Sequence, residues 1–309
     1  MSHSTGLRLG LCCLFAAEPI RFRRLSAIHL SRRPEPAAEL SAVCQHNAQS
    51  LMQALVFCQS QGIGAFRLNS QLLPLKTHPD FAYELAALPD GPAIVASLQA
   101  GGAYARAHGI RLSLHPDQFV VLNSPASGVV ERSIAELGYQ AELAELVGAD
   151  VINLHAGGVY GDKPAALERL GANLAYLPAA ARSRLTFEND DRSYTPADLL
   201  DFCLTHGLPL VYDLHHHRCR PDALSVAAAT EAALATWQRE PLMHLSSPRD
   251  GWQAANPRQH HAYVSSADFP EEWLSLNATI DVEAKAKELA VLRLMAELEQ
   301  RGVNITKPQ

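Results

Sequence analysis

Short apolar, β-rich runs recur along the chain and alternate with helical stretches. Eight runs occur, at residues 8–13, 65–70, 111–116, 151–158, 184–190, 208–215, 242–247 and 278–284. Their starts are separated by roughly 25 to 60 residues, which suits a strand, a loop, a helix and a return loop. This alternation predicts an α/β fold, a (β/α)8 TIM barrel. An open doubly wound sheet is the alternative, but no glycine-rich phosphate motif follows the first run.

The helical stretches between the runs have recognisable ends. Residues 36–61 place apolar side chains near one face, with a proline at the start and a glycine just past the end. The sequence Thr-Pro-Ala-Asp that begins at Thr195 is a capping signature, and Gly207 ends the helix that follows it. Two further stretches are helical in composition, 221–238 and 283–301.

Composition is that of one globular domain over residues 1–309, with 302–309 as a loose C-terminal tail. Apolar residues make up 48% of the chain, and its formal net charge of −6 excludes nucleic-acid binding by bulk positive charge. Six cysteines without a CxxC pair indicate reduced thiols and a cytoplasmic location. No run reaches the roughly 18 apolar residues of a membrane span. No obligatory protein partner is inferred.

Polar side chains end six consecutive runs, from the third to the eighth. They are His115, His155, Glu188, Asp213, His244 and Glu283. Active sites of α/β barrels lie at the carboxyl ends of the strands. Imidazole nitrogen and carboxylate oxygen together suit zinc, manganese or iron. Six such groups are too many for one ion, so we expect two or three, with Glu188 bridging and His216 and His261 available for a third.

The run VYDLHHHRC, residues 211–219, has three adjacent histidines directly after a strand. Buried imidazoles need hydrogen-bond partners, so packing alone does not explain the triplet. If Asp213 ends the sixth strand, a histidine two or three residues further can fold back toward a neighbouring metal. The residues alone leave open which of His215, His216 and His217 is the ligand.

The series of motifs resembles the UV damage endonuclease family, TIM-barrel enzymes related to endonuclease IV. The matching stretches span residues 8–290 in the family's order. They are LPLKTHP (73–79), RLSLHPDQF (111–119), NLHAGGVYGDK (153–163), LTFENDD (185–191), VYDLHHHRC (211–219), MHLSS (243–247), HHAY (260–263) and VEAKAKE (282–288). The combination is specific, although each stretch alone is weak.

The resemblance implies a site of three divalent ions, with Mn²⁺ favoured and Zn²⁺ or Fe²⁺ as alternatives. It implies these ligands: His78, His115, His155, Glu188, Asp213, His216, His244, His261 and Glu283. His216 is favoured by its spacing from the aspartate, and His261 rather than His260 because it directly precedes Ala-Tyr. Glu188, Glu283 and Lys287 would act in catalysis. The implied reaction is incision of damaged duplex DNA immediately 5′ to a UV photoproduct by metal-activated water, leaving a 3′-hydroxyl and a 5′-phosphate.

Two surface segments are expected to contact the damaged double-stranded DNA. Arg21, Arg23 and Arg24 lie in the loop after the first strand, on the active face, where they can contact phosphates. The resemblance implies that Gln118 and Phe119 enter the duplex near the lesion, since apolar wedges kink DNA at weakened steps. The sequence departs from the family at three positions, with Leu11 where an aromatic is common, Asp117 where glycine is common, and Phe119 for tyrosine.

Three other functions are compatible with a metal-bearing barrel. A sugar isomerase or epimerase of the xylose isomerase type would have a site richer in carboxylates. A multinuclear-iron oxidase acting on peptides uses a similar ligand set. A non-enzymatic lesion-binding protein would not need to retain every ligand.

Overall fold

A closed barrel of eight parallel strands forms the centre of residues 6–309, the part of the chain that this computed structural model describes. The strands are β1 (Arg8–Cys12), β2 (Ala65–Leu68), β3 (Arg111–Leu114), β4 (Val151–His155), β5 (Leu185–Glu188), β6 (Leu210–Asp213), β7 (Leu242–Leu245) and β8 (Thr279–Val282). Each strand pairs with the next along the chain, and β1 pairs with β8 to close the barrel. The predicted (β/α)8 TIM barrel is confirmed; residues 1–5 of the predicted domain lie outside the described residues.

The α-helices of the described chain lie between successive strands, except α10, which follows β8. They are α1 (Ala27–Leu30), α2 (Pro36–Gln61), α3 (Gly91–His108), α4 (Ser127–Val147), α5 (Lys163–Asn173), α6 (Ala179–Arg182), α7 (Pro196–His206), α8 (Leu214–Cys219), α9 (Val226–Ala235) and α10 (Glu288–Gln300). Within residues 6–309, no helix is long and apolar enough to cross a membrane.

The ends of α2 and α7 lie where the sequence predicts them, because capping residues set them. Gly62 follows α2 with φ of 76°, a left-handed conformation, and its N–H bonds to two carbonyls of the last turn. Thr195 and Asp198 form a reciprocal capping box at the start of α7. α9 and α10 are shorter than the predicted helical stretches. Ser225 caps the later start of α9, and Lys287, with φ of 51°, precedes α10.

Side chains alternate along the strands and thereby position the site. Phe187 packs against Phe202 of α7, with ring centroids 5.5 Å apart, outside the barrel. Its neighbour Glu188 therefore lies on the inner side, because successive strand residues face opposite sides. In β6, Tyr212 packs edge-on against Trp273, and the next residue, Asp213, turns inward in the same way.

The C-terminal segment over 302–309, expected from the sequence to be a loose tail, contacts the chain before β1. Leu7 and Ile305 form a parallel bridge, and the Thr306 N–H donates a 2.7 Å hydrogen bond to the Leu7 carbonyl. The Leu7 N–H donates to the Asn304 carbonyl over 2.9 Å. Val303 is buried as well. The segment is held because it pairs with the chain just before β1, a long-range contact that local composition does not encode.

Candidate metal centre and DNA-facing surface

Six ligand-type side chains come together at the carboxyl ends of β3 to β8. They are His115, His155, Glu188, Asp213, His244 and Glu283. Three of them are the last residues of β4, β5 and β6, one lies within β7, and the other two directly follow β3 and β8. Because all the strands are parallel, these side chains lie at one mouth of the barrel, where active sites of this fold are found.

Glu188 lies at the centre of the group. Its Oε2 atom is 3.0 Å from His115 Nε2 and 3.2 Å from His244 Nδ1, and its Oε1 atom is 3.2 Å from His216 Nδ1. Burial raises the pKa of Glu188, but the charges of His244 and His155 and hydrogen bonds from His115 and His216 outweigh it. The pKa is held well below its ordinary value. Glu188 is therefore an ionised carboxylate at neutral pH, the form that binds cations.

The ligand atoms of the described residues form three overlapping groups, within each of which the atoms lie less than 4.8 Å apart. The groups are His115–His155–Glu188, Glu188–Asp213–His216 and Asp213–His244–Glu283. Glu188 belongs to the first and second groups, and Asp213 belongs to the second and third. A carboxylate has two oxygens, so a shared one can bind two neighbouring cations.

Several buried atoms in these groups have no hydrogen-bond partner in the protein. They are Nδ1 of His155, Oδ2 of Asp213 and both ring nitrogens of His244. Each unpartnered buried polar atom costs about 1–3 kcal/mol, so their concentration at one place indicates a ligand. Nitrogen and carboxylate oxygen donors form the set that zinc, manganese and iron accept. The residues present therefore fit a divalent metal centre.

The local field also favours positive charge. Burial lowers the pKa of His244, but Glu188 overrides that effect and raises it to about 9. Burial likewise disfavours the charged form of His216, and Asp213 and Glu188 reverse the effect, so its pKa lies well above the ordinary value. Carboxylates that hold protons on two buried imidazoles would attract a metal cation in the same way.

Of the three adjacent histidines, His216 is the one that joins the cluster. Its Nδ1 atom lies 3.2 Å from Glu188 Oε1 and 3.4 Å from Asp213 Oδ2. Its backbone N–H donates a 2.7 Å hydrogen bond to Asp213 Oδ1. Asp213 thus caps the short helix α8 and directs its first turn back over the barrel mouth.

The other two histidines are buried outside the ligand groups. His217 bonds to the Tyr212 hydroxyl over 2.7 Å and to Asp222 over 3.1 Å. His215 packs against Trp252, with ring centroids 5.1 Å apart. The triplet therefore contains one ligand-type residue and two residues that build the wall around it.

His260, rather than His261, lies beside the cluster, which differs from the sequence interpretation. His261 is exposed, and its Nδ1 atom accepts a 3.0 Å hydrogen bond from the Tyr263 N–H. His260 Nδ1 lies 3.8 Å from Glu283 Oε2, and its ring centroid is 6.4 Å from that of His216. Neighbouring residues of an extended segment face opposite sides, so only one of the pair can point to the site.

His78 also lies apart from the three ligand groups of the described chain. Its Nδ1 atom accepts a 3.2 Å hydrogen bond from the Asp80 N–H, and its ring packs against Phe81. It lines a cavity of about 820 Å³ together with Gln118 and Phe119. The structure therefore places His78 with the residues expected to probe DNA.

Polar residues that the sequence interpretation passed over support the ligands. Arg67 of β2 donates a 2.5 Å hydrogen bond from Nη1 to Glu283 Oε1. The amide of Asn189 donates to the Asp213 carbonyl over 2.8 Å and accepts from the Asp213 N–H over 2.9 Å. A charged or amide side chain inside an otherwise apolar run is the signal that could have found both residues.

Lys287 lies at a smaller cavity next to the ligand groups. Its volume is about 320 Å³, and its lining includes Arg67, His260, Glu283 and Lys285. Lys287 is half-buried, whereas Lys285 is exposed. The predicted catalytic lysine is thus near Glu283, at a place where an anionic group could enter.

Phe119 is 76% exposed in the loop after β3. Gln118 and Asp117 are exposed beside it. An exposed ring of this size adds nothing to the core, so a packing role at the barrel rim does not account for Phe119. The loop is free to contact a partner at the barrel mouth.

Arg21, Arg23 and Arg24 are exposed in the loop after β1. Arg21 donates a 2.9 Å hydrogen bond to the Ile20 carbonyl, and Arg23 lies 3.8 Å from Glu39. Glu288, at the start of α10, anchors this loop because its carboxylate accepts backbone hydrogen bonds of 2.6–3.1 Å from residues 16–18. The loop therefore presents its arginines on a fixed support.

The chain is similar over nearly its whole length to a known UV DNA damage endonuclease and to one solved structure. A UV DNA damage endonuclease of Bacillus velezensis is 33% identical over 305 residues, which cover 94% of this chain and 92% of that protein. The crystal structure of SacUVDE matches with a TM-score of 0.86 at 26% identity, over 96% of this chain and 100% of the other.

More distant likeness concerns the fold alone. Endonuclease IV of Thermus thermophilus matches with a TM-score of 0.61 at 16% identity, over 95% of this chain and 99% of that one.

The sequence profile of the family described as UV-endonuclease UvdE matches residues 7–308. Since the match covers nearly every residue, the chain belongs to the UV-endonuclease UvdE family.

Proposed function

We propose that this protein is a metal-dependent endonuclease that incises UV-damaged duplex DNA immediately 5′ to the lesion, leaving a 3′-hydroxyl and a 5′-phosphate. One observation carries the proposal: three overlapping groups of ligand atoms at the barrel mouth, joined by Glu188 and Asp213. Membership of the UV-endonuclease family and the name of the Bacillus relative support DNA as the substrate.

The proposed cofactor is three divalent ions, with Mn²⁺ favoured. The proposed ligands are His115, His155, Glu188, Asp213, His216, His244, His260 and Glu283. When bound, such ions lower the pKa of water and stabilise charge on the attacking and leaving oxygens of a phosphodiester. Three divalent ions would also offset the formal net charge of −6, which otherwise opposes DNA binding.

The protein's own residues would orient the DNA and the ligands. Arg67 holds Glu283, and we propose that Lys287 contacts the phosphate next to it. Phe119 and Gln118 would enter the duplex where a photoproduct weakens stacking, which selects damage without reading sequence. The arginine loop after β1 would hold the phosphate backbone.

The rival functions lose support for separate reasons. The cluster contains more imidazoles than the carboxylate-rich site of a sugar isomerase requires. The similarity to UV endonucleases weighs against an iron oxidase, and a lesion-binding protein without activity would not need three complete ligand groups. We also propose a cytoplasmic location, supported by six free cysteines.

The testing experiment is strand incision of UV-irradiated and of undamaged duplex oligonucleotide with Mn²⁺, and with EDTA as a control. We expect metal-dependent cutting directly 5′ to the photoproduct, and His155→Ala should abolish cutting while DNA binding persists. Cutting only at abasic sites would move the substrate toward that of endonuclease IV. If metal-loaded protein cuts neither DNA, the nuclease proposal is wrong, and sugars and peptides become the substrates to test.

A further inference from the structure

Asp281 is a fully buried carboxylate inside the barrel, on β8. Neither of its oxygens has a hydrogen-bond partner in the protein. The nearest groups that can carry positive charge are His244, whose Nε2 atom is 3.8 Å away, and Arg67, whose Nη1 atom is 4.0 Å away. Burying a carboxylate is costly unless charged or polar groups compensate for lost water, so packing does not explain this residue.

The barrel provides space for this carboxylate at one specific position. Gly10 of β1 is the direct partner of Asp281 in the β1–β8 ladder. A Cβ atom at Gly10 would lie 2.1 Å from Asp281 Oδ1, closer than real Cβ atoms approach, so the carboxylate would have to move. Two neighbouring strands are thus adapted to one buried acid.

The ring of His244 lies between Asp281 and the ligand groups. Its Nδ1 atom faces the cluster, 3.2 Å from Glu188 and 3.6 Å from Glu283. Its Nε2 atom faces the opposite way, toward Asp281. A histidine that ligates a metal with one nitrogen usually directs its other N–H toward a carboxylate or carbonyl, which fixes the tautomer and the ring plane.

We propose that Asp281 is a positioning residue that holds the Nε2–H of His244 and thereby keeps the Nδ1 lone pair directed at a cation shared with Asp213 and Glu283. At 3.8 Å the carboxylate orients the N–H dipole electrostatically, in an interior where water screens little. Arg67 balances the charge, because it contacts Glu283 and lies near Asp281. The inference rests on the proposed metal centre and adds a determinant of its affinity.

The first test measures the number and affinity of bound Mn²⁺ ions by calorimetry, without DNA, for the wild type and two variants. Asp281→Ala should weaken one ion by about 10–100-fold and leave the others unchanged, as expected for removal of a group that orients a ligand. Asp281→Asn keeps the shape and one acceptor oxygen, so it should fall in between. Excess Mn²⁺ should restore the incision rate of Asp281→Ala. Wild-type affinity in Asp281→Ala would overturn the proposal.

A second pair of variants separates positioning from general damage to the barrel. Gly10→Ala keeps the carboxylate but displaces it, and should reproduce the affinity loss. Adding Gly10→Ala to Asp281→Ala should cause no further loss, because both act through one interaction. Full addition of the two losses would contradict the proposal.

The matched control is Glu240→Gln, which alters a partly buried carboxylate bonded to Thr279 of the same strand. It should lower the free energy of unfolding and leave Mn²⁺ affinity unchanged; an equal loss of affinity would reduce Asp281 to a structural role. A wild type that binds Mn²⁺ but does not cut DNA refutes the nuclease and leaves the Asp281 test valid. A wild type that binds no divalent ion refutes both.

Discussion

The amide of Asn153 donates a 2.5 Å hydrogen bond to Oε2 of Glu188, the oxygen that also lies 3.0 Å from His115. The Thr186 hydroxyl donates in turn to Asn153 Oδ1 over 2.9 Å. Glu188, Asn153 and Thr186 are all buried. This chain of hydrogen bonds fixes one oxygen of the shared carboxylate and leaves the other directed toward His216.

Replacing Asn153 by leucine should weaken metal binding more than it weakens the fold. The variant keeps the side-chain size and removes the donor to Glu188, so we expect Mn²⁺ affinity to fall by about 10–100-fold. Thr186→Val should act in the same direction with a smaller effect. Asn47→Leu is the control, because Asn47 is an equally buried amide that bonds to loop backbone. Equal Mn²⁺ affinities in calorimetry for the Asn47 and Asn153 variants would contradict the assignment.

His260→Ala and His261→Ala provide a direct comparison of the two neighbours. His260 lies 3.8 Å from Glu283, whereas His261 is exposed. We expect only His260→Ala to reduce the number of tightly bound Mn²⁺ ions and the incision rate. Elemental analysis of the dialysed, metal-loaded variants measures the difference. Loss of bound Mn²⁺ in His261→Ala and not in His260→Ala would instead support His261, the ligand chosen from the sequence.

Phe119→Ala should impair recognition of damage without affecting metal binding. Loss of one aromatic–base contact costs about 1–3 kcal/mol, so kcat/KM on UV-irradiated duplex should drop at least about fivefold. Tyr176→Ala, at another exposed ring that is 69% accessible, is the control and should leave kcat/KM unchanged. If both variants cut at the wild-type rate, the wedge assignment is wrong.

Removing Arg23 and Arg24 together should weaken DNA binding equally for damaged and undamaged duplex. Each phosphate group that the variant no longer binds should reduce the slope of log K against log salt by about 0.9. Arg106→Ala is the control, because this exposed arginine lies near the end of α3, at the opposite end of the barrel. Binding titrations at several salt concentrations measure the slope. An unchanged slope in the double variant would remove the loop from the DNA contact surface.

Acid stability should depend on Glu240, whose Oε1 atom lies 2.9 Å from Arg8. Burial raises the pKa of Glu240, but the hydrogen bond and charge of Arg8 outweigh it, so the pKa lies below its ordinary value of 4.5. Because the folded pKa is depressed, this stabilisation is present above about pH 4.5 and disappears as pH falls through the folded pKa.

Glu240→Gln should therefore lower the free energy of unfolding at about pH 7 by about 1–3 kcal/mol. The difference from the wild type should shrink below the ordinary pKa of 4.5. Urea denaturation across this pH range gives the comparison. A difference that stays constant down to about pH 3 would mean that the charge of Glu240 contributes nothing.

The sequence was sufficient for the fold and the family, because the apolar runs and strand-end residues are local patterns. It was not sufficient for features that depend on contacts between distant segments. The tail near Ile305 is ordered by pairing with Leu7, and no composition rule for eight residues reports that contact. The choice between His260 and His261 depends on which side of an extended segment faces Glu283. The role proposed for Asp281 depends on its contacts with Gly10 and His244, which lie on other strands. The individual ligand and catalytic roles remain predictions.

The proposed ligands extend along the chain from His115 to Glu283. Six of them lie at the ends of six consecutive strands, and His216 and His260 lie in the segments that follow β6 and β7. A metal cofactor that binds only when all these strands are in place stabilises the native state as a whole. Metal removal should therefore loosen no single loop. It should lower the resistance of the entire barrel to heat and proteolysis in one step. The bound ions would thus hold together parts of the polypeptide that are distant in sequence.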